Sequence, residues 1–174
     1  MRSFAVYVGL VFTVVTGAAC AGETSYELQL PGVSHHFGKP RQAGKSWNEF
    51  HDGLGLQRTA VRSDLVWRAA GGFIRDSFSR QGLYAGGSIG LRAIDNSIDV
   101  EFALAPMLLY RTTRFDNGQG KAPYKLIPIV LPMIVVGHDA SGIGINITAL
   151  PAGNFGKDLR FPALIFAQFT WRIR

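Results

Sequence analysis

The sequence predicts an all-β fold: an eight-stranded antiparallel transmembrane β-barrel of the outer-membrane type. Three observations predict it. Apolar and polar residues alternate with a period of two along most of the chain. Past the N-terminal leader, no segment supplies the roughly 18 consecutive apolar residues of a membrane helix. The connections between alternating runs switch between short and long, as in barrels whose strands cross a bilayer and return. A bilayer core holds no water to satisfy N–H and C=O groups, so only helices and closed barrels cross it. A helix-poor, alternating chain is left with the barrel.

The elements follow in order along the 174 residues. Residues 1–21 read as an export signal: Arg2 supplies the positive start, residues 4–15 an apolar run too short to span a membrane, and Ala19-Cys20-Ala21 a small-residue cleavage site. The barrel domain is expected over 22–174. A second reading makes Cys20 a lipid-modified N-terminus, but Gly17 stands where such signals usually carry a large aliphatic residue. Cys20 is the only cysteine, so cleavage after Ala21 leaves no disulfide and no thiolate metal site.

Turn signals then divide the chain into strands at about 25–37, 53–62, 65–76, 83–94, 98–111, 125–138, 143–151 and 161–174. Each can supply the roughly 9–11 residues of a tilted membrane strand. Ser63-Asp64, Asp95-Asn96-Ser97 and residues 139–142 make short turns, whereas 38–52, 77–82, 112–124 and 152–160 are longer. In the last strand Ile165, Ala167, Phe169, Trp171 and Ile173 fall on one face, and Gln168, Thr170, Arg172 and Arg174 on the other. A soluble lipocalin-like barrel would carry polar residues outside; this face suits lipid. The strand at 98–111 differs, because its second face turns from Asp99 and Glu101 to Ala103, Ala105, Met107 and Leu109. Half of the interior is therefore expected to be polar and half apolar.

Charge narrows the partners. The precursor carries +6, and losing Arg2 takes its 18 Lys and Arg to 17 against 12 Asp and Glu. An exported chain has little access to nucleic acid, and its basic residues are spread over the expected loops. Phosphate-bearing lipids suit that pattern better.

With both termini on the periplasmic side, the first and third strands run outward and bring His35, His36, Asp76 and Ser77 to one rim. Imidazole as general base, carboxylate to support it and hydroxyl beside it are the ingredients of acyl transfer. Alternation sends Asp76 and Ser77 to opposite faces unless the strand ends there, so one of them is expected to touch the histidine directly. His35 and His36 likewise face opposite ways, which argues against a shared metal, and none is expected. Asp, Ser, Arg and Gly also form turns, and on the residues alone "RDSFSRQG" reads first as a solvated hairpin tip.

The pieces "LPGVSHH" (30–36), "NEFHDGLGL" (48–56), "FIRDSF" (73–78), "IPIVLP" (127–132), "TALPAG" (148–153) and "IFAQFTWRIR" at the C-terminus add a resemblance. In their order and spacing the chain resembles the outer-membrane lipid A palmitoyltransferases of the PagP type over most of its length. The resemblance implies an eight-stranded barrel that needs no cofactor; for so small a closed barrel a monomer is expected. It would move an acyl chain, palmitate or somewhat shorter, from the sn-1 position of a phospholipid onto lipid A. It places the essential histidine on His36 and the Asp-Ser pair on Asp76 and Ser77. It places the prolines beside lateral openings on Pro31, Pro128, Pro132 and Pro151. Proline donates no ladder hydrogen bond, so it can leave a slot for a lipid tail, or simply mark a bulge.

An apolar interior at Ala103, Ala105, Met107 and Leu109 could hold the chain, or be ordinary packing. Three departures stand out. The small residue limiting pocket depth falls on Ser88 rather than glycine; residues 22–28 are too few for an N-terminal amphipathic helix; and the chain ends on Arg174 rather than an aromatic. Two other functions fit the same residues: a non-catalytic surface barrel that binds lipopolysaccharide, and a phospholipase or deacylase with water as acceptor.

Overall fold

The computed structural model describes residues 23–40, 44–94, 97–112, 124–155 and 159–173. The expected export signal and its cleavage site lie outside them. The strands are β1 (Glu23–Phe37), β2 (Phe50–His51), β3 (Gly53–Arg62), β4 (Leu65–Arg75), β5 (Gln81–Ile94), β6 (Ile98–Thr112), β7 (Tyr124–His138), β8 (Ile143–Leu150), β9 (Gly153–Phe155), β10 (Leu159–Phe161) and β11 (Ala163–Ile173). Eight of them are long and pair antiparallel in the order β1, β3, β4, β5, β6, β7, β8, β11, and β11 pairs back onto β1 to close the barrel. All eight strands read from alternation are present, with ends within two residues of those expected. Short β2 extends the line of β3 along β1, and β9 and β10 form a separate hairpin. Both lie in stretches read from sequence as loops.

The outer surface is a belt of Leu54, Leu56, Trp67, Phe73, Leu91, Phe102, Leu104, Val130, Phe169 and Trp171, with many further exposed apolar side chains. Such a surface around a closed strand ladder is that of a barrel spanning a bilayer, where the ladder satisfies most backbone groups within the wall.

The inside has two characters. Along β6 and β7, Ala103, Ala105, Ile127, Ile129, Leu131, Met133 and Val135 form an apolar cluster, with Met107, Leu109 and Leu150 packed against it. Elsewhere, Val66 and Tyr84 apart, the buried side chains are mostly polar, among them Gln29, Gln57, Thr59, Asn146, Thr148, Gln168 and Thr170. The half-apolar interior read from β6 is therefore present, and β7 supplies most of it.

Two irregularities interrupt the wall. In the first, the β1–β11 register slips between Gln29 and Gly32, so Leu30 and Pro31 together oppose one residue of β11. This bulge shifts the alternation of β1 by one residue. Before it Gln29 is buried; after it Gly32, Ser34 and His36 are. Without the bulge His35 would face inward. Gly32 is required there, because a Cβ would lie 2.7 Å from the Ala167 carbonyl oxygen and from the Phe166 ring.

The second irregularity is a seam. β7 pairs with β6 along its whole length, from Thr112↔Tyr124 to Ile98↔His138. Its ladder with β8 runs only from Met133↔Thr148 to His138↔Ile143. Residues 124–132 of β7, which include Pro128 and Pro132, thus have no ladder partner on β8. Pro151 follows the last residue of β8.

Candidate active site at the barrel rim

Three parts of the chain meet at one rim: the end of β1, the segment 47–51 and the β4–β5 connection. His36 and Ser77 face each other, with Nε2 3.0 Å from Oγ. Both are buried, at 6% and 5% exposure, as is Asp76 at 3%. His35 points out, with 68% of its side chain exposed, and meets the edge of Phe37.

β4 ends at Arg75, which releases Asp76 and Ser77 from strand alternation. The connection is a tight tip. Asp76 Oδ1 accepts hydrogen bonds from the backbone N–H of Phe78 (2.8 Å) and of Arg80 (3.0 Å), and the Ser79 N–H donates to the Asp76 carbonyl. This is the side-chain-to-backbone closure that aspartate makes in turns. Ser79 takes φ 61°, the left-handed region that only a well-held turn imposes on a non-glycine residue. "RDSFSRQG" is thus a hairpin tip, and it delivers Ser77 to His36.

Asp76 makes no hydrogen bond to His36. Its Oδ2 lies 3.4 Å from Arg111 Nε, and the Arg111 guanidinium stands 5.2 Å over the Phe78 ring. Of the two residues, Ser77 is the one that touches the histidine; Asp76 Oδ1 closes the tip and its Oδ2 faces Arg111. The groups beside His36 Nδ1 are Ser34 Oγ at 3.4 Å and Glu49 Oε1 at 3.8 Å.

The segment that covers the histidine was missed from sequence. Trp47 stacks on the His36 ring, 4.6 Å between centroids and 13° between planes, and donates its indole N–H to the Gly38 carbonyl. Glu49 accepts the Ser34 N–H at its carbonyl and the His36 N–H at its carboxylate. Asn48 donates to the carbonyls of Ser77 and Asp76, tying the segment to the tip. Behind the site His51 lies 2.8 Å from Ser34 Oγ and 2.7 Å from the Arg75 carbonyl oxygen. Asn48, Glu49 and His51 all lie within "NEFHDGLGL", but only the fold shows what they touch.

Below the rim a cavity of ≈ 170 Å³ runs into the barrel. Asp76, Ser77 and Arg111 line its mouth, and Ala105, Met107, Leu109, Ile129, Leu131 and Leu150 line its wall. Ser77, not His36, borders the cavity, so the hydroxyl stands between the ring and whatever fills it. Ala103 is buried but does not border the cavity. Ser88 does, and its cross-strand partner is Arg68, whose guanidinium is paired with the Glu101 carboxylate. Arg68 also borders a second, polar cavity of ≈ 290 Å³ toward the opposite end, which includes Glu27, Asp99 and Arg172. The apolar cavity thus ends on a polar layer. Of the prolines, Pro128 and Pro132 lie on the unpaired seam beside the apolar wall, and Pro31 at the β1 bulge. Among the described residues no group of three His, Cys, Asp or Glu is placed to hold a metal ion.

No protein-family model matches the chain, and no curated protein matches it. Among solved structures it is similar to the Yersinia pestis outer membrane protein Ail in a phospholipid bilayer nanodisc. The TM-score is 0.43 and the identity 12%, over 87% of this chain and 99% of that one.

Proposed function

We propose that the protein is an outer-membrane acyltransferase that moves a fatty acyl chain from a phospholipid to a hydroxyl of lipid A, without a cofactor. The observation that carries this reading is the buried His36–Ser77 contact at the mouth of an apolar cavity. A base in contact with a hydroxyl, beside a slot that accepts hydrocarbon, is what transfer of a long acyl chain requires. Each methylene buried in the slot contributes about 0.8 kcal/mol, which holds the ester carbonyl at the rim while the chain lies below.

Ser77 donates its proton to His36 Nε2 as it takes the proton of the attacking lipid A hydroxyl. The hydroxyl oxygen adds to the ester carbonyl, and the tetrahedral intermediate collapses. The bond to the glycerol oxygen breaks, and that oxygen receives the proton held on His36. The products are acylated lipid A and a lysophospholipid. Arg111 at the mouth supplies positive charge near the lipid phosphate or the developing oxyanion. The unpaired β7–β8 seam, with Pro128 and Pro132, offers a lateral path for lipid from the bilayer to the slot.

The test is mass spectrometry of lipid A from cells carrying the wild-type protein, His36→Ala or no protein. The wild type is expected to add one acyl mass. His36→Ala, still folded in the outer membrane, is expected to lower it by about 10²-fold or more. Equal lipid A profiles in all three samples would sink the reading.

A further inference from the structure

We propose that His51, acting through Ser34, is the positioning residue that sets the tautomer and orientation of His36, a role expected of Asp76 from the sequence. His51 belongs to the same site, and only the effect on rate rests on the function proposed above.

One atom of the site has a fixed hydrogen-bonding role. The Arg75 carbonyl oxygen can only accept, and His51 Nδ1 lies 2.7 Å from it. Nδ1 of His51 therefore carries the proton and donates it. In the neutral ring the other nitrogen is then bare and accepts. His51 Nε2 stands 2.8 Å from Ser34 Oγ, so the Ser34 hydroxyl donates to His51 and spends its only proton there. Ser34 Oγ keeps its lone pairs, and it faces His36 Nδ1 at 3.4 Å. His36 Nδ1 therefore carries the proton and points it at Ser34. His36 Nε2 is left bare, 3.0 Å from Ser77 Oγ, and takes the Ser77 proton. One backbone carbonyl thus directs the polarity of a chain from Arg75 to Ser77.

The surroundings agree. The Glu49 carboxylate, 3.8 Å from His36 Nδ1, favours a proton on that nitrogen. Ser34, His36, His51 and Ser77 are all buried, which limits competition from bulk water for these protons. The Phe166 ring meets the His51 ring edge-on, 5.3 Å between centroids, and holds its plane. Ser34 faces inward only because of the bulge at Leu30–Pro31, which also turns His36 inward. Asp76 makes no hydrogen bond within this hydrogen-bonded chain: its Oδ1 closes the tip and its Oδ2 lies 3.4 Å from Arg111 Nε.

The experiment is NMR of the full barrel in lipid bilayers with 15N-labelled histidine, which distinguishes the two neutral tautomers, alongside lipid A acylation kinetics. Wild-type His36 is expected to carry its proton on Nδ1. In His51→Phe, which keeps a ring but neither nitrogen, His36 should lose that single tautomer, and kcat should fall on the order of 10²-fold with KM little changed. His51→Gln, whose amide can donate to the Arg75 carbonyl and accept from Ser34, should restore both the tautomer and most of the rate. Wild-type His36 protonated on Nε2, or an unchanged His36 tautomer in folded His51→Phe, would overturn the proposal even if acyl transfer is confirmed. If the tautomer shifts as expected but no variant, wild type included, acylates lipid A, the positioning role stands and the proposed function fails.

Discussion

At the scale of single residues, the same side chain can build the fold and serve the site. Asp76 closes the β4–β5 tip through two backbone N–H groups, and the closed tip aims Ser77 at His36. Asp76→Ala is expected to cost about 2 kcal/mol, since hydrogen bonds to a charged acceptor are lost, and to lower acyl transfer strongly. Asp76→Asn keeps the accepting oxygen and should retain most of the stability and an intermediate rate; urea unfolding and lipid A acylation measured on both variants check this. Ser88 faces the apolar cavity across from Arg68. Ser88→Gly removes a buried hydroxyl and should lengthen the acyl chain transferred, read as a heavier lipid A adduct; an unchanged adduct mass would show that another residue limits depth. That His35, His36, Asp76 and Ser77 share one rim was legible in the sequence from strand order, while the choice of His36 came only from the family resemblance. Which of His35 and His36 faces inward was not legible, because the answer depends on a bulge set by pairing with β11. Ser34 and His51 carry no local signal; their role exists only once β1, β2 and the end of β4 are side by side.

Among the elements, β7 and its neighbours separate two tasks. Its inner face supplies the apolar wall, and its far half is joined to β6 but not to β8. Proline at positions 128 and 132 lacks the N–H that a ladder needs. Restoring it with Pro128→Ala and Pro132→Ala together should let the seam extend, raise resistance to unfolding, and slow acyl transfer by restricting lipid entry. Faster transfer in the double variant would contradict a lateral path at this seam. All eight long strands were legible from alternation, since a wall with lipid outside and polar groups inside imposes a strict period of two. The pieces β2, β9 and β10 were not, because two or three residues are too short to show any period.

For the whole molecule, the outer belt, the closed ladder and the divided interior make one object: a barrel held in lipid, with an apolar cavity open at one rim and a polar cavity beyond Arg68. Alternation with an apolar outer face pointed to the membrane, but not to the polar layer between the cavities, which needs Gln29, Gln57, Arg68, Glu101 and Asn146 from five different strands. The Gln57 amide oxygen, for example, accepts from Gln29 and Asn146 together. The barrel is proposed to transfer acyl chains between lipids. The most direct measurement uses the purified protein in vesicles holding a phospholipid isotopically labelled in its sn-1 chain, together with lipid A. Labelled lipid A and lysophospholipid should appear in equal amounts with the wild type and be nearly absent with His36→Ala. Labelled free fatty acid in place of labelled lipid A, or no release of label at all from the folded wild-type barrel, would contradict it.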